Sequence, residues 1–97
     1  MQRGMLGTRR NGMEILVNIL KEARVGISKT RLVYRTNMNF FAIRRHMDFL
    51  IQKGLLNVEY SSIQLYTTTQ RGLEFLDEFD KIKETLGIEE EDEFYDF

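Results

Sequence analysis

Asn39-Phe40-Phe41-Ala42-Ile43-Arg44-Arg45-His46-Met47-Asp48-Phe49-Leu50-Ile51-Gln52-Lys53-Gly54-Leu55-Leu56 decides the reading of this chain. Phe40, Ile43, Met47 and Leu50 recur at spacings of three, four and three, the period of one helical stripe. Phe41, Arg44, Arg45, Asp48 and Gln52 fall away from that stripe, so a helix over residues 40–53 has one apolar face and one polar, mostly basic face. Asn39 suits the N-cap, Met38 and Ile43 occupy the N′ and N4 positions of a hydrophobic staple, and Gly54 supplies a left-handed stop. His46 is the single histidine; beside the apolar stripe it reads as a core-edge residue rather than a base or ligand.

The segments on either side follow from the same rules. Residues 55–60 and 63–67 alternate like a two-stranded hairpin turning at Ser61-Ser62, and Thr68 or Thr69 then starts a last helix, with Leu73 and Leu76 available to complete the core. Upstream, Asn11 and Glu14 resemble a capping pair for a helix over residues 13–24, whose stripe is Ile15, Leu16, Ile19, Leu20 and Ala23. Gly26 ends that helix, and Ser28 caps a short one over residues 29–35, in which Leu32 and Tyr34 provide apolar surface. A tight turn at Thr36-Asn37-Met38-Asn39 leads into the decisive helix. The order of elements is that of a winged helix-turn-helix: mostly α with a β-hairpin wing (α+β), carrying an extended C-terminal helix.

Three runs make the likeness more specific: residues 39–50, then Lys53-Gly54-Leu55-Leu56, then Tyr66-Thr67-Thr68-Thr69-Gln70-Arg71-Gly72-Leu73-Glu74-Phe75-Leu76. Together they resemble the archaeal winged-helix group that includes the small ten-kilodalton dimeric DNA-binding proteins of Sulfolobales. In that group a helix ending in a Lys-Gly-Leu-Ile type sequence precedes a wing and a Tyr-x-Leu-Thr-x-x-Gly entry into a long final helix. The resemblance covers residues 13–86 and implies binding of double-stranded DNA by a homodimer joined through the final helices. The chain departs from that pattern in a shorter last helix and in an added acidic end.

If the helix over residues 40–53 reads DNA, its side chains have defined roles. Arg44, Arg45 and Gln52 can pair with base edges in the major groove, where Arg matches guanine and Gln matches adenine. Asn39 and Phe41 lie at the helix start, and Phe41 can touch a thymine methyl. Lys29, Arg31 and Arg35 on the preceding helix would meet the phosphate backbone, fixing register without reading sequence. The bland alternative for all of them is a solvated charged surface. The wing tip has no Lys or Arg, so it is the weaker contact, and Arg9 and Arg10 are better placed for an arm along the backbone.

Charge is divided along the chain. Residues 1–72 carry twelve Lys/Arg against four Asp/Glu, or +8, whereas residues 73–97 carry two against eleven, or −9. The first part has the balance of a polyanion binder, and the second would repel the same polyanion. Within the second part, Phe75, Phe79, Ile82 and Leu86 are spaced four, three and four apart, a heptad seam for a coiled-coil homodimer; the alternative is that Phe75 and Phe79 fold back on the first helix. The end, Glu89-Glu90-Glu91-Asp92-Glu93-Phe94-Tyr95-Asp96-Phe97, is either a solvated tail, a protein-partner site, or a competitor for Arg44 and Arg45.

The 97 residues therefore divide into a basic arm (1–11), a winged helix-turn-helix domain (12–72), a C-terminal dimerisation helix (73–87) and an acidic aromatic tail (88–97). Cysteine is absent, which removes disulfides and thiolate chemistry. No apolar run approaches the length needed to span a bilayer, and a cytoplasmic protein with no membrane partner is expected. No catalytic triad, metal-ligand set or phosphate-binding glycine loop is present, so neither enzymatic activity nor a cofactor or metal is expected. Two functions remain: a dimeric DNA-binding protein acting as a transcriptional regulator or chromatin-associated factor, and a winged-helix protein–protein interaction module that does not bind DNA.

Overall fold

The first helix, α1 (Gly12–Glu22), buries more of its circumference than a single stripe, because neighbours pack on several sides. Ile19, Leu20 and, just beyond the helix, Ala23 are buried as the spacing predicts; Val17, outside the expected stripe, is buried as well, while Ile15 and Leu16 are only half-buried. A computed structural model describes residues 12–87. The arm expected over residues 1–11, with Arg9, Arg10 and the capping role of Asn11, and the tail expected over 88–97 lie outside the described residues.

After a left-handed turn at Gly26 come β1 (Ile27–Ser28) and α2 (Lys29–Thr36). Ser28 caps α2 by accepting from the Arg31 amide at 3.3 Å. Leu32 is fully buried on its inner side, but Tyr34 stands in solvent and contributes nothing to the core. Asn37 closes the helix at φ 57°, a conformation Asn tolerates better than most residues with a side chain.

Helix α3 (Phe40–Gln52) follows, and both of its ends are fixed. Asn39 Oδ1 accepts the Ala42 amide at 2.8 Å. At the other end Leu55 N donates to Leu50 O and Gly54 N to Ile51 O, the paired bonds of a Schellman stop, with Gly54 at φ +79°. Between the caps, Ile43, Met47 and Leu50 reach the core that α1 also fills.

The wing is β2 (Leu56–Tyr60) and β3 (Gln64–Thr68), paired from Leu56↔Thr68 to Tyr60↔Gln64. Its loop is Ser61-Ser62-Ile63 rather than the expected two-residue turn, because the register ends at Tyr60↔Gln64; Ser61 donates to Ile63 O from both amide and hydroxyl. The sheet also has three strands, in the order β1-β3-β2, where two were expected. β1 is only two residues long, and it pairs Ile27 with Tyr66 and Ser28 with Leu65. The extra pairing occupies the free edge of β3 and ties the start of α2 to the wing.

The last helix, α4 (Gln70–Leu86), is capped by Thr69 and packs on α1. Leu76 and Phe79 are buried in the same core as α1 and α3, so this core reaches seven residues past 72. Leu73, expected in the core, is exposed instead, because Gly72 and Leu76 take the inward side of that turn. None of these helices is long and apolar enough to cross a membrane.

Gly72 sits where no side chain fits. A Cβ there would overlap the Leu55 carbonyl oxygen and approach Thr68 Cγ2 at 2.6 Å. Backbone and a buried threonine, not a flexible side-chain tip, form the obstacle. Gly72→Ala should therefore lower stability by about 1–3 kcal/mol despite the better helix propensity of Ala, read as a drop in Tm of several degrees by thermal unfolding. An unchanged Tm would show that the α4 entry can move aside.

Candidate nucleic-acid interface

The outward face of α3 is the side opposite Ile43, Met47 and Leu50, and no element of the described chain covers it. Phe41, Arg44, Arg45, Asp48, Phe49 and Gln52 are all exposed there. The helix is locked at both caps and along its buried face, so these side chains project from a rigid support.

The basic residues differ in how far they are already engaged. Arg44 pairs with Asp48 one turn on, at 3.9 Å, with both groups exposed, an interaction worth little in water. This pair lies on the flank of α3 toward the sheet: Tyr66 has its hydroxyl pushed up by burial first, then by Tyr60 and Asp48, against an opposing effect of Arg44. Arg35 reaches back to Glu22 of α1 at 3.2 Å, which orients its guanidinium at the rim. Lys29 lies over the Phe40 ring at 4.3 Å, and that ring meets Phe41 edge-on with centroids 5.7 Å apart. Among the described residues Arg31 and Arg45 have no ion-pair partner, which leaves Arg45 the least encumbered cation on the outer face.

Asn39 is on the same side but its Oδ1 is used in capping, so only its amide nitrogen remains to donate outward. Lys29, Arg31 and Arg35 lie on α2, and Asn39, Phe41, Arg44, Arg45 and Gln52 border or belong to α3; the turn at Asn37 joins the two groups.

Three residues not expected from the sequence complete the surface. Phe49 is 44% exposed, and Lys53 stands over its ring at 5.6 Å. Their signal was present in the spacing, since Phe49 lies four residues after Arg45 and four before Lys53. Arg71, at the start of α4, extends the basic border: its Cδ lies 3.8 Å from the position of a Cβ on Gly54. The wing adds no cation, its tip presenting Tyr60 and Ile63 to solvent.

The final helix presents a different chemistry. Of the four seam residues, Phe79 is only 7% exposed and packs inside its own chain, and Phe75 is half-buried against the same core. Ile82 and Leu86 are 47% and 59% exposed beyond the edge of that core.

Comparison with known proteins places this geometry. A family model described as winged helix-turn-helix matches residues 9–87. No curated protein matches in sequence. Among solved structures, the chain is similar to Sso10a-2, a DNA-binding protein from Sulfolobus solfataricus, with 29% identity and a TM-score of 0.66 over 80% of this chain and 86% of that one. It is similar to the transcriptional regulator BldR from Sulfolobus solfataricus at 25% identity and TM-score 0.64, covering 80% of this chain and 63% of that one. Bordetella bronchiseptica BpsR, whose DNA binding is regulated by 6-hydroxynicotinic acid, shares the fold at 20% identity and TM-score 0.64, over 78% of this chain and 56% of that one. The two Sulfolobus proteins agree with the archaeal resemblance carried by the motifs around Gly54 and Gly72.

His46, half-buried on the flank of α3, has its pKa lowered first by burial and then by Arg45. A lowered folded-state pKa means that the unfolded chain takes the proton first. Above about pH 6.5 the residue is neutral in both states and has no effect on stability; as pH falls below that value, the folded state loses ground. Chemical denaturation from pH 7.5 to 5 should show stability declining through this window, and His46→Gln should flatten that part of the curve. Parallel curves for the two proteins would assign the decline to other groups.

Proposed function

This chain belongs to the winged helix-turn-helix family, and from that premise we propose that it binds double-stranded DNA as a homodimer, acting as a transcriptional regulator or chromatin-associated factor rather than as an enzyme. The observation that carries the reading is the uncovered outer face of α3, where Arg45, Gln52 and Phe41 stand opposite the buried Ile43, Met47 and Leu50. Arg45 and Gln52 have the donor patterns that pair with guanine and adenine in the major groove. Arg44 can leave its weak bond to Asp48 for a base or phosphate. Lys29, Arg31, Arg35 and the Asn39 amide border the groove at phosphate level, where contacts set register.

The support for a dimer is the exposure of Ile82 and Leu86 on a helix that continues beyond its core. Phe75 adds a half-buried flank, while Phe79 serves from the inside by holding α4 on α1. Pairing two such ends sets two reading helices at a fixed separation for two half-sites.

A duplex titration at two salt concentrations tests the DNA reading. Binding should weaken steeply with salt, and Arg44→Ala/Arg45→Ala should reduce the log–log salt slope by about 2 if both contact phosphate, or lose sequence preference with little change of slope if both read bases. Absence of wild-type binding at low salt would leave the protein-interaction module as the function of this fold. For the dimer, Ile82→Glu/Leu86→Glu should shift the sedimentation coefficient from dimer to monomer with helix content kept; a wild type that already sediments as a monomer at high concentration would overturn it.

A further inference from the structure

Phe41, Arg45, Phe49 and Lys53 occupy successive positions four residues apart on α3 and just past its end. Each step of four advances a helix by about 6 Å and only about 40° around its axis, so the four form one ridge. All four are exposed, and the ridge alternates ring, cation, ring, cation. Phe41, 76% exposed, is among the most solvent-accessible large apolar residues described.

A single exposed phenylalanine is ordinary. Two on the same outward ridge, on either side of a guanidinium with neither an ion pair nor a ring partner among the described residues, are a pattern. The remaining charges select what the ridge meets. Lys53 stands over one ring and Lys29 beside the other end, and Asp48, already paired with Arg44, is the only acidic residue of α3. A surface of this sign attracts a polyanion, and the apolar group that a duplex offers in its major groove is the 5-methyl of thymine.

We propose that Phe41 and Phe49 read thymine methyl groups in the major groove, on either side of the base pair engaged by Arg45. The proposal rests on the DNA-binding reading above and deepens it into a preference. The two rings are about 12 Å apart along the helix, the span of roughly three base-pair steps. The site they favour has pyrimidine methyls separated by about that distance.

Alternating copolymer duplexes test this without knowledge of an operator, because they offer a methyl at every register. The full-length protein is titrated with alternating dA-dT duplex and with its dA-dU counterpart, which differs only in lacking the methyl. Removing one engaged methyl should weaken binding about fourfold, and removing two roughly 15-fold. Phe41→Ala or Phe49→Ala should each reduce the preference to about fourfold, and the double variant should bind the two duplexes equally. In a reverse arm, 5-methylcytosine in an alternating dG-dC duplex should strengthen wild-type binding. Both rings are on the surface, so circular dichroism of the variants should match wild type.

Equal wild-type affinity for the dA-dT and dA-dU duplexes, with salt-sensitive binding intact, would overturn the methyl reading and leave DNA binding standing. No binding to any duplex would overturn both. Tighter binding to single-stranded dT than to duplex would replace groove reading by base stacking on the rings, and so overturn the proposal as well.

Discussion

Two adjacent threonines hold the parts of this molecule in place. Thr68 Oγ1 donates to Leu20 O at 2.7 Å and Thr68 N to Ala23 O at 2.9 Å, the second carbonyl being shared with Gly26 N, so the end of β3 is fastened to the end of α1. Thr69 N donates to Leu55 O at 3.1 Å and Thr69 Oγ1 to Gly54 O at 2.7 Å, which fastens the segment after α3. The same Thr69 hydroxyl accepts from Gly72 N at 3.0 Å and so starts α4. Four elements converge on one dipeptide. The absence of a side chain at Gly72 is a requirement of that convergence, because the Leu55 carbonyl occupies the space a Cβ would take.

The position of α3 follows from this joint. Its C-terminal stop is bonded to Thr69, its N-terminus is capped by Asn39, and its inner face is buried with α1. No freedom is left except in the outward side chains, whose contacts are already weak: an exposed ion pair at 3.9 Å and cations resting on rings. Rigid backbone with adaptable tips suits a surface that must match another molecule at low entropic cost. The wing is different in kind. Its uncharged tip with Tyr60 and Ile63 shares none of the cationic character of α3.

Much of this was legible in the chain. Ser28 and Asn39 cap the helices that they should, and of Thr68 and Thr69 it is Thr69 that caps the last one, because capping depends on neighbours three residues away. The apolar spacing of Phe40, Ile43, Met47 and Leu50 identified the buried side of α3 and, by difference, the exposed side, except that Phe40 is only half-buried and meets Phe41 and Lys29 instead of the core. Features that depend on distant partners were hidden. β1 is two residues long, too short for any alternation, and exists only because β3 lies beside it. Val17 is buried since α1 is surrounded, so that a second row, Met13, Val17 and Leu20, packs on the core beside the expected stripe. Leu73 looked like core and is exposed, because the close packing of Gly72 turns the helix so that Leu76 points inward. Phe49 lies off the apolar stripe of α3 and is 44% exposed.

The bond from Thr68 to Leu20 spans 48 positions, and it has a consequence for how the protein is made. A chain emerging from the ribosome exposes α1, α2 and α3 well before the threonine that caps α1 and the glycine that admits α4. Until then, the Leu20 carbonyl lacks the Thr68 hydroxyl and the inner face of α1 lacks Leu76 and Phe79. Helix α3 is thus translated early but held in place late, so α1, α2 and α3 do not constitute a portable unit; the last strand and the first turns of α4 must travel with them.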